Sequence, residues 1–448
     1  MNIAEMMADT TLPERLSAKF TDTFAYQTVK DRLPIILTKV INTLYTFRKQ
    51  AAQKHGEEAV QDCKTIVSRL SKLKNEMQTD KPVLPLTPLT DIEEHDVVIW
   101  NGYLEEEVFR NKGEPASFFQ SAWLYVECYM YRKIMEAIHL STALQSFDPF
   151  GEQKRNALLQ SLQAVTLLSN YLEEHAHDKP DNAQQAFDQF VQISLWGNKC
   201  DLSISAGVEN SQKIDPIGPL QNLQSHILVN DMHKLFPILR EARAKDPAKK
   251  VRLDIILDNA GFELFTDLCL AEFAIRAGIV DVVHMHYKAM PWFVSDVTYQ
   301  DFMWTIDTLQ NHRDNLLSSL GKSWHRRLSS KQWDISGHKF WTTPHDYSEM
   351  KQVSPDLYEE LSRSDLVLFK GDLNYRKLIG DRSWEHTIPY AEALCGFHPA
   401  PQCALRTSKA DLIVGLPEGL SEELTSKDKD WMVTGEYAVV QYCGMRNL

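Results

Sequence analysis

The sequence predicts an α/β protein: a three-layer α/β/α sandwich with a mostly parallel sheet, preceded by an all-α helical domain. Three observations lead to this prediction. Helical periodicity dominates the first 190 or so residues, short β-rich runs alternate with helical segments after that point, and 448 residues are enough for two or three domains. We therefore expect a helical domain over residues 1–190 and an α/β/α catalytic domain over residues 191–448.

The N-terminal helices are predicted from apolar residues that recur every three or four positions, the pattern of a helix with one face in a core. The first stripe runs from Leu33 to Phe47, and the second runs from Val60 to Met77. A third runs from Trp123 to Ile138, and a fourth from Leu158 to Leu172. Such stripes indicate packing rather than function.

The strands are predicted from four short runs rich in β-branched and aromatic residues. The runs are residues 253–257, 282–287, 366–369 and 437–442, and a helical pattern lies between the first two. Strand, helix, strand alternation is typical of a parallel sheet with helices on both faces. Ligands bind such sheets outside the carboxyl ends of the strands, so the polar residues that follow each run are the candidate site residues.

Charge and composition exclude several classes of function. The chain has 48 Lys and Arg against 61 Asp and Glu, a formal charge of −13, which argues against nonspecific nucleic-acid binding. No apolar run reaches the roughly 18–20 residues of a membrane helix, and the 7 cysteines are scattered without C-x-x-C spacing. We expect a cytoplasmic protein, with the nucleus as an additional location, and no nucleic-acid or membrane partner.

The first two predicted strands are each followed by oxygen donors. Asp258 and Asn259 come directly after the first strand, and Asp296 ends the loop after the second. If the strands are neighbours, the three side chains converge at one edge of the sheet, where they suit a divalent cation. The alternative is that each residue only caps a helix. Glu263, in the first turn of the next helix, either faces the same spot or simply favours the helix N-terminus.

A locally basic stretch follows the third run. Residues 370–409 contain six Lys or Arg against four Asp or Glu, although the chain is acidic overall. Asn374, Arg376 and Lys377 can donate to phosphate or sugar oxygens, and residues 404–409 supply a second group of donors that includes Lys409. This composition indicates an anion site, and a solvated surface is the alternative explanation.

Other polar residues are weaker candidates. Asn198 and Asp201, ahead of the α/β part, are accessory candidates or part of a structural turn, and Lys370 is a third accessory candidate. His284 and His286 share one face of a predicted strand, but a mid-strand pair faces packed side chains, so we expect them in the core. The common phosphate-loop, dinucleotide, zinc-protease and serine-hydrolase motifs do not occur in the sequence.

Five motifs together resemble the metal-dependent damage-control phosphatases. They are LDNAGFE (257–263), WFVSD (292–296), FKGDLNYRKL (369–378), GFHPAP (396–401) and RTSK (406–409). The last motif resembles the R-T-x-K signature of one subfamily, with Arg406, Thr407 and Lys409 at the defining positions. The resemblance covers nearly the whole chain, and it implies a helical domain followed by an α/β/α sandwich.

The resemblance also implies roles for individual residues. Asp258, Asn259 and Asp296 match the catalytic metal ligands, with Mn²⁺, Co²⁺ or Ni²⁺ as the implied cation and Mg²⁺ as an alternative. Glu263 and Asp296 match positions assigned to S-adenosylmethionine in the family's methyltransferase description. The positions that match substrate-binding residues are Asp258, Asn259, Asp372, Leu373, Asn374, Tyr375, Arg376 and Lys409.

The activity implied by the resemblance is hydrolysis of small phosphorylated metabolites, with fructose 1-phosphate and fructose 6-phosphate as the substrate class. The first alternative is S-adenosylmethionine-dependent methylation of glutamate side chains on a protein substrate. The first strand lacks the multi-glycine turn that many such methyltransferases use. The second alternative is a non-catalytic interaction protein, which would be expected to have a degraded metal site. Whether Asp258 acts as a nucleophile or only as a ligand stays open.

Overall fold

A computed structural model gives the fold for residues 12–88, 94–175, 183–197 and 223–445. Within these ranges the strands are β1 (Ile227–Asn230), β2 (Arg252–Ile256), β3 (Val282–Lys288), β4 (Trp333–His338), β5 (Leu366–Lys370), β6 (Gln402–Thr407) and β7 (Ala438–Cys443). The α-helices are α1 (Phe24–Gln27), α2 (Leu33–Gln78), α3 (Glu94–Arg110), α4 (Trp123–His139), α5 (Gly151–Gln160), α6 (Leu162–Glu174), α7 (Gln184–Gly197), α8 (Leu235–Lys245), α9 (Phe262–Arg276), α10 (Tyr299–Gln310), α11 (Asn315–Ser329), α12 (Met350–Val353), α13 (Pro355–Leu361), α14 (Gly371–Leu378), α15 (Tyr390–Ala393) and α16 (Leu420–Lys427).

The strands form one seven-stranded sheet with the order β1-β7-β6-β5-β2-β3-β4. Neighbouring strands from β6 to β4 are parallel. Strand β7 is antiparallel to β6, and β1 is parallel to β7, so these two strands run in the opposite direction. The prediction of a mostly parallel sheet is confirmed, and β2, which precedes the candidate site, lies between β5 and β3.

The core is divided between the two faces of the sheet. Leu253, Ile255 and Leu257 pack with helices that include α6, α7, α9 and α11. Ile256 and Phe369 face the other way and pack with α2, α3 and α4 of the N-terminal part. Alternate residues of a strand point to opposite faces, so helices cover both sides of the sheet and make it the middle of three layers.

The predicted helical stripes correspond to α2, α4, α5 and α6. The first two stripes are the two arms of α2, which is interrupted at Gly56, where φ is 77°. The Nζ atom of Lys74 donates to Oγ1 of Thr38 at 2.8 Å, so the arms lie side by side. The third stripe is α4, and the fourth is divided at Ser161 between α5 and α6.

Helix α7 spans the expected domain boundary at residue 190. It packs on α9, the helix that follows β2: the rings of Phe190 and Phe273 are 4.7 Å apart, and Oγ of Ser194 donates to Asp267 at 2.6 Å. The last helix of the helical part therefore belongs to the helical layer on one face of the sheet. The division of the chain at residue 190 stays a prediction.

Strands β1, β4 and β6 were not predicted. Strand β4 lies at the edge of the sheet and is half-buried along most of its length, so its sequence lacks a continuous apolar run. Strand β6 ends inside the R-T-x-K motif, whose polar residues favoured a loop. Among the described residues, no helix combines the length and the apolar character needed to span a bilayer.

Candidate active site

The loops that follow β2 and β3 pair with each other, and this pairing brings the predicted oxygen donors together. The amide of Val297 donates to the carbonyl of Asp258 at 2.8 Å, and Asn259 and Asp296 form an isolated antiparallel bridge. Strands β2 and β3 are adjacent and parallel, so their carboxyl ends lie side by side. Asp258, Asn259 and Asp296 are each 4% exposed or less.

These side chains line a pocket of about 370 Å³ at the edge of the sheet that is formed by the carboxyl ends of the parallel strands. Its lining includes seven of the residues predicted from the sequence: Asp258, Asn259, Asp296, Asp372, Leu373, Arg376 and Lys409. It also includes residues that were not predicted, most of them from the N-terminal helical part: Phe24, Arg32, Trp123, Glu127 and Phe293. The pocket is therefore built by the sheet edge together with the helices that cover it.

The carboxamide of Asn259 is held by its neighbours. Its Nδ2 atom donates to Oδ2 of Asp258 at 2.8 Å and to Oε2 of Glu263 at 2.7 Å. The hydroxyl of Ser295 donates to its Oδ1 atom. A side chain fixed at both ends is oriented before any ligand arrives, which is what a metal-binding or catalytic group requires.

The donor set fits a hard divalent cation. Two carboxylates and one carboxamide supply oxygen ligands, the type that Mg²⁺ and Mn²⁺ prefer. The negative charge acts on nearby groups: burial raises the pKa of Tyr347 well above its usual range, and the charges of Asp296 and Asp258 raise it further. Lys288 supplies partial compensation, with Nζ 3.5 Å from Oδ2 of Asp296. A bound cation would neutralise the two carboxylates.

A buried charged layer lies behind Asn259. The Nζ atom of Lys370 is 3.3 Å from Oε1 of Glu263 and 2.9 Å from Oδ1 of Asp267, and it donates to the carbonyl of Ser194 at 2.6 Å. Burial raises the pKa of both carboxyl groups, and the lysine acts against that rise. The structure thus places Glu263 and Lys370 as supports of Asn259 rather than in the pocket lining.

The R-T-x-K motif holds the basic side of the pocket. Arg406 is fully buried, donates through Nε to Oδ1 of Asp372 at 2.7 Å, and stacks over the ring of Tyr375 at 4.3 Å. Thr407 is also fully buried, at the end of β6. The backbone amide of Lys409 lies 3.3 Å from the same Asp372 oxygen, and its side chain lines the pocket.

Arg376 is oriented by groups from both parts of the chain. Its Nε and Nη2 atoms donate to Asp381 at 2.7 and 3.0 Å, and Nη1 donates to Oε2 of Glu127 at 2.7 Å. The guanidinium also stacks on the ring of Trp123, 3.7 Å from its centroid. Glu127 and Trp123 belong to α4, so the helical part positions an arginine of the pocket.

Two residues of the predicted substrate loop lie outside the pocket lining. Asn374 is fully buried; its oxygen accepts a hydrogen bond from the hydroxyl of Tyr347, and its Nδ2 donates to the carbonyl of Lys370 at 2.7 Å. Tyr375 is also fully buried and donates to Oε1 of Gln441 at 2.8 Å. These contacts fix helix α14 at the sheet edge, from which Asp372, Leu373 and Arg376 reach the pocket.

A second polar cluster lies within β2 and β3. Potential ligand atoms of Asp254, His284 and His286 lie within 4.8 Å of one another, so these side chains could hold a divalent cation. Arg252 already occupies the cluster: it donates to both Asp254 oxygens at 2.7 Å, and its Nη2 atom is 2.6 Å from Nδ1 of His284. A cation would have to displace this guanidinium.

The charge state of Asp254 reflects that arrangement. Burial would raise its pKa, but hydrogen bonds with His286 and Arg252 outweigh burial and lower the pKa to about 2. Burial lowers the pKa of His284 to about 4, so this imidazole is neutral near pH 7. The cluster is a hydrogen-bonded network around the guanidinium of Arg252, which also pairs with Glu360 at 2.8 Å.

Some of the missed residues had a signal in the sequence and others had none. Glu127 is a carboxylate within the apolar α4 stripe, and Asp254 is a carboxylate within an apolar strand. A charged residue at such a position indicates a buried polar contact, so both residues could have been singled out from the sequence. Arg32 carried no such signal, because its approach to the pocket depends on tertiary packing. Asn198 and Asp201 lie outside the described residues.

A strand-end pocket that combines oxygen donors with arginine and lysine is typical of enzymes that act on phosphate esters. Comparison with known proteins agrees with that class. The chain matches the model of the damage-control phosphatase ARMT1-like domain over residues 28–424. It therefore belongs to the damage-control phosphatase ARMT1-like domain family, an enzyme family, and the family predicted from the motifs is confirmed.

The relatives named damage-control phosphatase ARMT1 are similar over almost their whole length. The protein from Xenopus laevis is 48% identical over 96% of this chain and 98% of the relative. The protein from Danio rerio is 48% identical over 96% of this chain and 97% of the relative. The human protein is 45% identical over 97% and 99%, respectively.

Proposed function

We propose that the chain hydrolyses small sugar phosphates of the fructose 1-phosphate and fructose 6-phosphate class with a divalent cation held by Asp258, Asn259 and Asp296. The implied cation is Mn²⁺, Co²⁺ or Ni²⁺, with Mg²⁺ as an alternative. The observation that carries the proposal is the convergence of these three donors with Arg376 and Lys409 in one pocket.

The reaction is the transfer of the phosphoryl group to water, in which the bond between phosphorus and the sugar oxygen breaks and that oxygen takes a proton. A bound cation would polarise a phosphoryl oxygen and lower the pKa of a coordinated water. Asp258 either attacks the phosphorus or serves only to hold the cation, and both roles are compatible with its position.

The basic residues of the pocket would bind the phosphoryl oxygens. Arg376 uses three of its N–H groups on Asp381 and Glu127, which fix the guanidinium plane and leave further N–H groups for a ligand. The ammonium group of Lys409 adds a second cation at the same pocket. Donors oriented in advance need little rearrangement as charge develops in the transition state.

Phosphate release from fructose 1-phosphate tests this proposal. Wild type is assayed with Mn²⁺, Co²⁺ or a chelator, next to Asp258→Ala and Asp296→Ala. A matched control is Asp356→Ala, which removes a carboxylate whose side chain is 75% exposed. We expect metal-dependent turnover that both pocket variants lose and the control keeps. Metal-independent turnover, or full activity in both pocket variants, would contradict the proposal.

The methyltransferase alternative stays a prediction, with Glu263 and Asp296 as the residues assigned to S-adenosylmethionine. The structure places Glu263 behind Asn259, where it contacts Lys370. Calorimetric titration with S-adenosylmethionine tests the alternative separately, because an absence of binding would remove it without affecting the phosphatase proposal. The cytoplasmic or nuclear location likewise stays a prediction.

A further inference from the structure

We infer that Arg32, which belongs to the N-terminal helical part, binds the phosphoryl group of the substrate in the pocket at the sheet edge. The inference rests on the proposed phosphatase function and adds a substrate-binding residue from the helical part. Arg32 lines the pocket together with Asp258, Asp296 and Lys409, and it is half-buried there.

Arg32 ends a π-helical turn, Thr28–Arg32, that joins α1 to α2. The amide of Leu33 donates to the carbonyl of Thr28, five residues back, instead of four. One extra residue in a helix turns the side chains that follow by about 100°, and π turns are uncommon and frequently occur at functional sites. The turn therefore gives the helix a different set of side chains facing the pocket, with Arg32 among them.

The segment that carries Arg32 is fixed to the basic side of the pocket. The amide of Phe24 donates to Oδ2 of Asp411 at 3.0 Å, and Asp411 is two residues beyond Lys409. The ring of Phe24 packs edge-on against Trp123, 5.8 Å between centroids, and Trp123 in turn stacks on Arg376. Arg32 thus approaches the pocket from a segment that contacts the loop after Lys409 and the tryptophan that stacks on Arg376.

The charges of the pocket point to the phosphoryl group as the ligand. Asp372 pairs with Arg406, and Arg376 pairs with both Glu127 and Asp381. A divalent cation would balance Asp258 and Asp296. The bound ester itself carries a charge near −2 at neutral pH, and buried charge requires a partner.

The cations of the described lining are Arg32, Arg376 and Lys409, so Arg32 adds to the two that are proposed to bind the phosphoryl oxygens. Arginine binds phosphate through two parallel N–H groups, a geometry that lysine lacks. We therefore expect Arg32 to contribute to recognition of every phosphate ester that the enzyme accepts, whatever the leaving group.

The test compares Arg32→Gln and Arg32→Lys with Lys30→Gln, which removes an exposed charge from the same π turn. The measurements are kcat/KM for fructose 1-phosphate and for p-nitrophenyl phosphate, and the inhibition constant of inorganic phosphate. We expect Arg32→Gln to lower both kcat/KM values and to weaken phosphate inhibition by about 10- to 100-fold, the range of a hydrogen bond to a charged group. Arg32→Lys should lie between Arg32→Gln and wild type, and Lys30→Gln should match wild type.

Two results would overturn the inference: kinetics for Arg32→Gln equal to those of Lys30→Gln, or a loss confined to the sugar ester with unchanged phosphate inhibition. If Arg32→Gln does not fold, as judged from its thermal midpoint, Arg32→Lys decides, because phosphate inhibition equal to wild type would contradict bidentate binding. A failure of the proposed function looks different, since wild type would then hydrolyse neither ester.

Discussion

Two acidic clusters, one within β2 and one just beyond its carboxyl end, differ in how their charge is balanced. Asp254 lies within the strand and pairs with His286 and Arg252. Asp258 lies just beyond the strand end and lines an open pocket with Asp296. The exposed fractions of Asp254 and Asp258, 0% and 4%, hardly distinguish them.

The difference teaches that ligand type alone does not identify a functional metal site. Both clusters contain donors that suit a divalent cation. In the mid-strand cluster the protein already supplies the positive charge, through a guanidinium 2.7 Å from each oxygen of Asp254. At the strand end, Nζ of Lys288 lies 3.5 Å from Oδ2 of Asp296, and the donors line the pocket. We expect the first cluster to stabilise the fold and the second to carry the activity.

The largest expected effect is on activity at the strand end. Asp258→Asn keeps the shape of the side chain but removes the charge that holds the cation. We expect kcat/KM for fructose 1-phosphate to fall about 1,000-fold, or about 4 kcal/mol, since metal-ion catalysis supplies several kcal/mol. The free energy of unfolding of the metal-free variant should stay within about 1 kcal/mol of wild type, because a repulsion with Asp296 is relieved. A large loss of stability with retained activity would contradict the assignment of the activity to the strand-end cluster.

The same substitution in the other cluster should have the opposite outcome. Asp254→Asn removes one of the two carboxylates that pair with Arg252 and leaves Glu360 as the other, and breaking a buried ion pair costs about 3 kcal/mol of stability. Urea unfolding measures this loss. The enzyme that remains folded should keep kcat/KM within about threefold of wild type. Loss of activity in a stable protein would show that the mid-strand cluster takes part in catalysis.

The pH dependence of stability measures the contribution of Asp254 and its partners without a substitution at the strand-end site. Asp254 has a pKa of about 2 in the folded chain, lowered mainly by hydrogen bonds that overcome burial, against about 3.9 for an unfolded aspartate. The pair therefore contributes about 2 kcal/mol above pH 4, which is lost as the pH falls toward 2. The stability difference between wild type and Asp254→Asn should shrink across this window, and a constant difference would rule out the titration of this carboxyl.

The smallest expected effect concerns the side chain that orients Asn259. Ser295→Ala removes the hydroxyl that donates to the carboxamide oxygen. We expect the dissociation constant of Mn²⁺ to rise about threefold to tenfold, the usual contribution of one hydrogen bond. Ser336→Ala is the matched control, because its hydroxyl lies 2.9 Å from His284 in the mid-strand cluster. Equal metal affinity in Ser295→Ala and wild type would remove Ser295 from the site.

The sequence contained enough information to locate the polar residues that follow β2 and β3. Strands β2 and β3 are apolar runs bounded by polar residues, so their ends could be located, and the pairing of the two loops then followed from adjacency. The prediction placed Asp258, Asn259 and Asp296 together on the condition that the two strands are neighbours, and in the structure they are neighbours and the three residues line one pocket. The sequence could not show that Arg376 lines the pocket and Asn374 does not, because both residues are buried and lie within one helical turn.

The contribution of the helical part could not be predicted from periodicity. An apolar stripe such as that of α4 predicts which face of the helix is buried but not which residues that face contacts. The packing of Trp123 on Arg376 could therefore not be predicted from the sequence. The π turn before α2 depends on backbone hydrogen bonding that residue patterns do not specify. Arg252 was missed for a related reason, because an ion pair across neighbouring strands depends on their register.

Titration of Mn²⁺ into metal-free protein tests the central claim most directly, namely that the metal site is at the strand end. Wild type and the double variant His284→Ala/His286→Ala should each bind one ion in the pocket with similar affinity. Asp258→Asn/Asp296→Asn should lose that ion. If the histidine variant loses the ion and the aspartate variant keeps it, the metal belongs to the mid-strand cluster and the account is wrong.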